Sequence, residues 1–256
     1  MITLRVRVIE LSEERAFLVL EGVTPSLANS IRRAIVGEVP TFAVDEVIFF
    51  ENTTPFFDEY IAHRLAMIPL RTSLDLIRSD PNRNVVLELS RRAKDLIETV
   101  YSGELKSSDP LVYPANDKIP IIKMRKGQKI RFQAIARLGR GKDHSKWSPA
   151  AAVGYSYMPV YELVDQNLEC DLSACSDCMK SDNGVVRVDY PVLCEGCWEA
   201  LERCRVRNPG KVVRNWDESR IIIRYESTGS LRPDEIFFEA LNQMKVKLNE
   251  FLSKIG

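Results

Sequence analysis

All six cysteines of this 256-residue chain fall between Cys170 and Cys204, in the order Cys170-x4-Cys175-x2-Cys178-x15-Cys194-x2-Cys197-x6-Cys204. Thiols packed so closely along a chain imply a cross-link, through a metal or to one another. Two Cys-x-x-Cys knuckles fifteen residues apart suit a tetrahedral zinc ribbon, and thiolates at such spacing also hold iron–sulfur clusters. The only acids inside the knuckles, Asp177 and Glu195, stand at no ligand-like spacing, and no histidine is near. The cross-link is therefore expected to be structural. About fifty residues (164–215) with few aliphatic runs need a staple to fold. A cytoplasmic chain uses cysteines as ligands or free thiols more often than as disulfides, hyperthermophiles being the exception. Iron–sulfur, zinc, disulfides and free thiols all remain open at this point.

Outside that segment the pattern is ordinary. Residues 2–9 alternate with period two and residues 15–20 form a second apolar run, with polar Ser12-Glu13-Glu14 between them, which predicts a β-hairpin. Thr24-Pro25-Ser26 opens a helix carrying Leu27, Ile31, Ala34 and Ile35 at helical spacing, ended by Gly37 and Pro40. A strand follows over 43–50 and a helix over Asp58–Met67, stopped by Pro69. Further strands are expected over 84–89, 96–101, 119–124, 128–136, 157–163 and 220–225, with the glycine-rich run 137–142 as a loop. From Pro233 a last helix carries Ile236, Phe237, Ala240, Leu241, Met244, Leu248, Phe251 and Leu252 on one apolar stripe, about 25 Å long. A stripe of that length covers a core or pairs with a partner helix. Neither end of the chain has enough apolar surface to stand alone. The two ends are expected to form one unit (1–40 with 216–256), with 41–163 as an inserted β-rich part and 164–215 as the cysteine module. The fold class is α+β.

Thirty-six basic and thirty-six acidic residues cancel, which argues against coating nucleic acid by global charge. No segment is long and apolar enough for a membrane span, and the N-terminus reads as a strand rather than a signal peptide, so the cytoplasm is expected. Catalytic constellations are missing. His63 lies one turn after Glu59, and a lone carboxylate–imidazole pair is neither a zinc site nor a triad. Gly139-Arg140-Gly141-Lys142 lacks the spacing of a phosphate loop. His144 sits in the same basic segment. From Ile119 to Trp147 stand Lys123, Arg125, Lys126, Lys129, Arg131, Arg137, Arg140, Lys142 and Lys146 against Asp143 alone. Such a run contacts a protein's acidic patch, faces solvent, or touches phosphate. On the first helix Asn29, Ser30, Arg32 and Arg33 crowd the face opposite the apolar stripe, a pattern suited to hydrogen-bonded contact.

Several of these segments together resemble a known family. Leu27-Ala28-Asn29-Ser30-Ile31-Arg32-Arg33-Ala34, with Val39-Pro40 and Ala43-Val44-Asp45-Glu46-Val47, is similar to the alpha-motif of alpha-like RNA polymerase subunits. Asp58-Glu59-Tyr60-Ile61-Ala62-His63-Arg64-Leu65-Ala66-Met67-Ile68-Pro69-Leu70 and Gly141-Lys142-Asp143-His144-Ser145-Lys146-Trp147-Ser148-Pro149 resemble its archaeal and eukaryotic branch. Gly229-Ser230-Leu231-Arg232-Pro233 resembles the lead-in to the C-terminal dimerisation helix. With the cysteine module, the likeness is to the archaeal subunit-D type, kin of the bacterial alpha N-terminal domain and the eukaryotic third-largest subunit. The resemblance implies an alpha-like dimerisation domain from both chain ends and a ferredoxin-like fold for 164–215. It implies pairing with the small alpha-like subunit L, recruitment of subunit N and the large catalytic subunits, no catalytic residue here, and DNA contact only through the complex. Partner contacts are expected at Asn29, Arg32, Arg33, Glu59, His63, Arg64, Lys142, His144, Trp147, Ile236, Phe237, Ala240, Leu241, Met244 and Leu248. Cluster-binding members resemble ferredoxins, with Cys-x-x-Cys-x-x-Cys-x-x-x-Cys-Pro. This chain has Ala200 at the third cysteine and Arg205 at the proline, so a standard cluster does not follow. The alternative class is a standalone iron–sulfur or zinc protein.

Overall fold

A computed structural model describes residues 4–80, 82–165, 168–182 and 185–255. In chain order the elements are β1 (Arg5–Leu11), β2 (Arg15–Glu21), α1 (Pro25–Gly37), β3 (Pro40–Asn52), α2 (Asp58–Ala66), α3 (Leu74–Ser79), β4 (Val85–Arg92), β5 (Ile97–Tyr101), β6 (Lys106–Ser107), β7 (Pro120–Arg125), β8 (Lys129–Arg140), β9 (Ala150–Leu163), β10 (Met179–Asp182), β11 (Val185–Val188), α4 (Cys197–Arg207), β12 (Val212–Ser227) and α5 (Pro233–Ile255). The strands form a six-stranded sheet in the order β1-β2-β12-β9-β11-β10, a four-stranded sheet β3-β8-β4-β6 and the ribbon β5-β7. The fold is α+β.

Two compact units divide the chain. One comprises the described residues of Met1–Leu11, Ala16–Ser30 and Gly154–Arg224; the other Ser12–Arg15, Ile31–Val153 and those of Tyr225–Gly256. Units drawn by compactness cut across the three-part division read from the sequence.

In the larger unit, β3 and β8 pair over almost their whole length, with bulges at Val44/Glu46 and Phe49/Glu51. Alternation decides the buried face: Ile130, Phe132, Ala134 and Ala136 of β8 face inward, joined by Val85, Leu87 and Leu89 of β4. Ile61 and Leu65 of α2, one helical turn apart, close the same core. The expected loop at 137–142 proves to be strand through Arg140, with Thr41 opposite Gly139 and Phe42 opposite Leu138. The glycines there serve close packing: a Cβ on Gly139 would lie 2.3 Å from the Trp147 ring, and one on Gly141 2.0 Å from the Val36 carbonyl oxygen.

In the smaller unit, Val19, Met158 and Ile222 of the six-stranded sheet form one buried cluster with Val192 of the helical turn 191–193. A second cluster holds Tyr161, Leu163, Val188 and Val212 with Cys175, Cys197, Ala200, Leu201 and Cys204. Helix α4, absent from the sequence reading, buries Cys197, Ala200, Leu201 and Cys204 at i, i+3, i+4 and i+7. Its apolar stripe is half cysteine, so it was legible only if the cysteines were counted as core.

Candidate subunit-contact surface

The residues expected to meet a partner fall into four places. Helix α5 begins where Tyr225 donates a hydrogen bond to the Pro233 carbonyl at 2.6 Å and Gly229 turns the chain at φ +94. A Cβ at Gly229 would meet the Ala115 Cβ at 3.0 Å, so glycine answers both the left-handed backbone and the space. Pro233 stands in the first turn, with Asp234 and Glu235 at the positive end of the helix dipole. The stripe then divides. Ile236, Phe237 and Ala240 are buried by the chain itself, and Leu241 and Met244 are half-buried. Arg78 to Glu239 at 3.3 Å and Arg140 to Gln243 at 3.1 Å hold this first half. From Lys245 to Ile255 every residue is exposed. Leu248, Phe251, Leu252 and Ile255, spaced i, i+3, i+4 and i+7, remain 59–65% exposed.

Helix α1 is capped by Thr24, whose Oγ1 accepts from the Leu27 amide at 3.2 Å. Ala28, Ile31, Ala34 and Ile35 are buried, whereas Leu27, read as part of the core stripe, is 39% exposed. Asn29 and Arg32 are half-buried and Arg33 is exposed.

On α2, Glu59 and His63 are exposed. Arg64 turns inward: its Nε donates to the Ile121 carbonyl at 2.8 Å and its Nη2 to that of Pro120. It thereby caps the open edge of β7. Phe57, Tyr60 and Met67 add exposed apolar surface, with Tyr60 stacked on Phe56.

In the segment after β8, Trp147 is half-buried over Gly139 and donates from Nε1 to the Arg137 carbonyl at 3.1 Å. Lys142 and His144 are exposed. Glu38 gathers Lys142 at 3.5 Å, Arg140 at 3.8 Å and Lys247. Burial opposes its ionisation, yet Lys247 and Lys142 outweigh that and hold its carboxyl below the usual range. Asp45 likewise pairs Lys146 at 2.6 Å and Arg137 at 3.5 Å. Much of the basic run is thus answered by this chain's own acids.

The six cysteines form three disulfides: Cys170–Cys204, Cys175–Cys197 and Cys178–Cys194. They nest one inside another, zipping segment 170–178 to 194–204. Nearby, Tyr161 and Arg214 converge on Glu202, which Arg205 also grips at 2.9 Å. Burial and the Glu202 carboxylate push the Tyr161 hydroxyl well above its ordinary pKa.

The family model for the RNA polymerase Rpb3/Rpb11 dimerisation domain matches residues 18–248. The chain belongs to this family. The DNA-directed RNA polymerase subunit Rpo3 of Methanosphaera stadtmanae is 30% identical, with 99% of each chain covered. That of Methanosarcina acetivorans is 34% identical over 98% of each. That of Pyrococcus furiosus is 49% identical over 63% of this chain, a match spanning 60% of the relative's length. A standalone iron–sulfur or zinc protein finds no support in these relatives. For this Rpb3/Rpb11-family chain, neither metal group fits the cysteines as they stand. Ligation requires thiolate sulfurs, and no cysteine is free. Among the described residues no group of three or more His, Cys, Asp or Glu is placed to hold a metal ion. Nor is any helix among them long and apolar enough to cross a membrane.

Sequence reasoning treated the closing stripe as one surface and missed its division. The signal was present: Lys245, Lys247, Asn249 and Glu250 crowd the second half, leaving too narrow a stripe to sit inside a core.

Proposed function

We propose that this chain is a non-catalytic assembly subunit of an archaeal DNA-directed RNA polymerase. It pairs with the small alpha-like subunit L and then gathers subunit N and the large catalytic subunits. It works in the cytoplasm and meets DNA only through the complex. The dimerisation part comprises 1–40 and 216–256, with 41–163 inserted and 164–215 as the cysteine module. Family membership and the names of the relatives support this reading.

One observation carries it: the last three turns of α5 stand exposed, with Leu248, Phe251, Leu252 and Ile255 as an apolar stripe along one side. Isolated helical turns are marginal in water, and such a stripe left bare invites aggregation. Covering it yields about 1–2 kcal/mol per side chain before association costs. Glu59, His63, Arg33, Lys142 and His144, which are also exposed, are then positions for the later subunits.

Co-expression with the L-type subunit of the same source tests the proposal. A complex of one copy each, stable through size exclusion, is the expected result. A chain that remains monodisperse and ignores that subunit overturns it.

A further inference from the structure

The sequence's basic run leaves one part unanswered. Lys129 pairs with Glu51 at 3.0 Å, Arg131 lies 4.9 Å over the Phe50 ring, and Arg137, Arg140, Lys142 and Lys146 reach Asp45, Glu46 or Glu38. Lys123, Arg125 and Lys126 have no carboxylate within 4 Å among the described residues. All three are exposed.

Lys123 and Arg125 belong to the β5–β7 ribbon, and Lys126 starts the turn just after it. The ribbon's register sets Ile97 opposite Arg125 and Thr99 opposite Lys123, so these four share one face. The other face, with Val100, Ile122 and Met124, is buried. The outer face thus has two parallel rows. Along β5 run Ile97, 63% exposed, Thr99 and Tyr101; along β7 run Lys123 and Arg125. At one end Leu96, 80% exposed, accepts from the Lys126 amide at 3.4 Å beside exposed Lys94. The nearby acids do not neutralise the face. Glu98 is committed to Arg91 at 2.7 Å and to the amides of Lys94 and Asp95, leaving Asp95 as the one carboxylate of that turn.

We infer that this face docks an extended acidic segment of another protein, with acidic and apolar side chains alternating. An extended peptide laid between the rows sends alternate side chains to opposite sides. Carboxylates meet Lys123 and Arg125 while the apolar residues meet Leu96, Ile97 and Tyr101. Residues two apart repeat at about 6.8 Å on both chains, so the pairing holds from Ile97 and Arg125 to Thr99 and Lys123, short of the register shift before Tyr101. Charge complementarity selects an acidic partner. The aliphatic row selects peptide over nucleic acid, because bases need aromatic platforms and Tyr101 is alone there. The inference stands apart from the assembly reading and does not use α5.

Fluorescence anisotropy on the full chain provides the test. The probes are a labelled peptide of alternating glutamate and leucine and a labelled single-stranded oligonucleotide of equal length. The peptide binds the native chain more tightly than the oligonucleotide. Lys123→Glu with Arg125→Glu weakens peptide binding at least tenfold, Lys123→Gln with Arg125→Gln weakens it less, and Ile97→Ser also weakens it. Arg203→Glu, an exposed cation on α4, leaves it unchanged, and every variant keeps the native melting temperature. Peptide binding indifferent to the paired reversal, or preference for the oligonucleotide, overturns the inference.

Discussion

Gly139 and Gly141 show how a residue can be legible as chemistry and misread as structure. In the sequence they resemble a broken phosphate loop; in the fold they are absent side chains that let the Trp147 ring and the Val36 carbonyl approach. Alanine at Gly141 would collide with backbone, which cannot swing away as a side chain does. Gly141→Ala should therefore cost about 1–3 kcal/mol, read as a fall in the urea midpoint, and Gly139→Ala a comparable amount through the Trp147 ring. An unchanged midpoint for both would refute this packing. Glu38 is a residue whose role appears only in three dimensions, since its cations lie 102 to 209 positions away along the chain. Its carboxyl titrates below its ordinary value, so it stabilises the fold above the unfolded-state pKa and loses that contribution as pH falls through the lowered one. Glu38→Gln should lower the melting temperature at neutral pH, with the gap to the native chain closing below about pH 4. A gap independent of pH would contradict the assignment.

Elements were readable where one pattern dominated. Helices α1 and α2 and the alternating strands followed from spacing and stop residues. Strands β8, β9 and β12 run further than their apolar alternation, because pairing extends them through Gly139 and through exposed residues that carry no period. Helix α4 was hidden because its stripe is built from cysteines. The nested disulfides take the place of an aliphatic core there, closing separations of 34, 22 and 16 residues. Because the loops share one interval, their entropic contributions do not add. Full reduction should nevertheless destabilise this element by at least about 3 kcal/mol. Thermal melts with and without a phosphine reductant would register it as a separate, earlier transition. Cys178 and Cys194 are half-buried, whereas Cys175 and Cys197 are fully buried. Partial reduction followed by alkylation and mass mapping should therefore label the Cys178–Cys194 pair first; initial labelling at Cys175–Cys197 would contradict the placement.

For the molecule as a whole, the sequence showed the class of the fold and the family through motifs spread over its length. It did not show how the closing stripe is shared between this chain's own core and open solvent. Periodicity says which side of a helix is apolar, but not how far the core beneath it extends. In α5 that limit falls near Met244, so Phe237 belongs to folding, while Leu248 and Phe251 stay exposed and are the positions the proposed pairing would cover. Phe237→Asp should accordingly give unfolded or aggregated chain, whatever partner is supplied.

Light scattering on the chain mixed with the L-type subunit tests the central claim most directly. The native chain should give the mass of one copy of each. Leu248→Asp with Phe251→Asp should keep native circular dichroism yet give only the separate masses. A double variant that still forms the paired species, or a native chain that never does, would contradict the account.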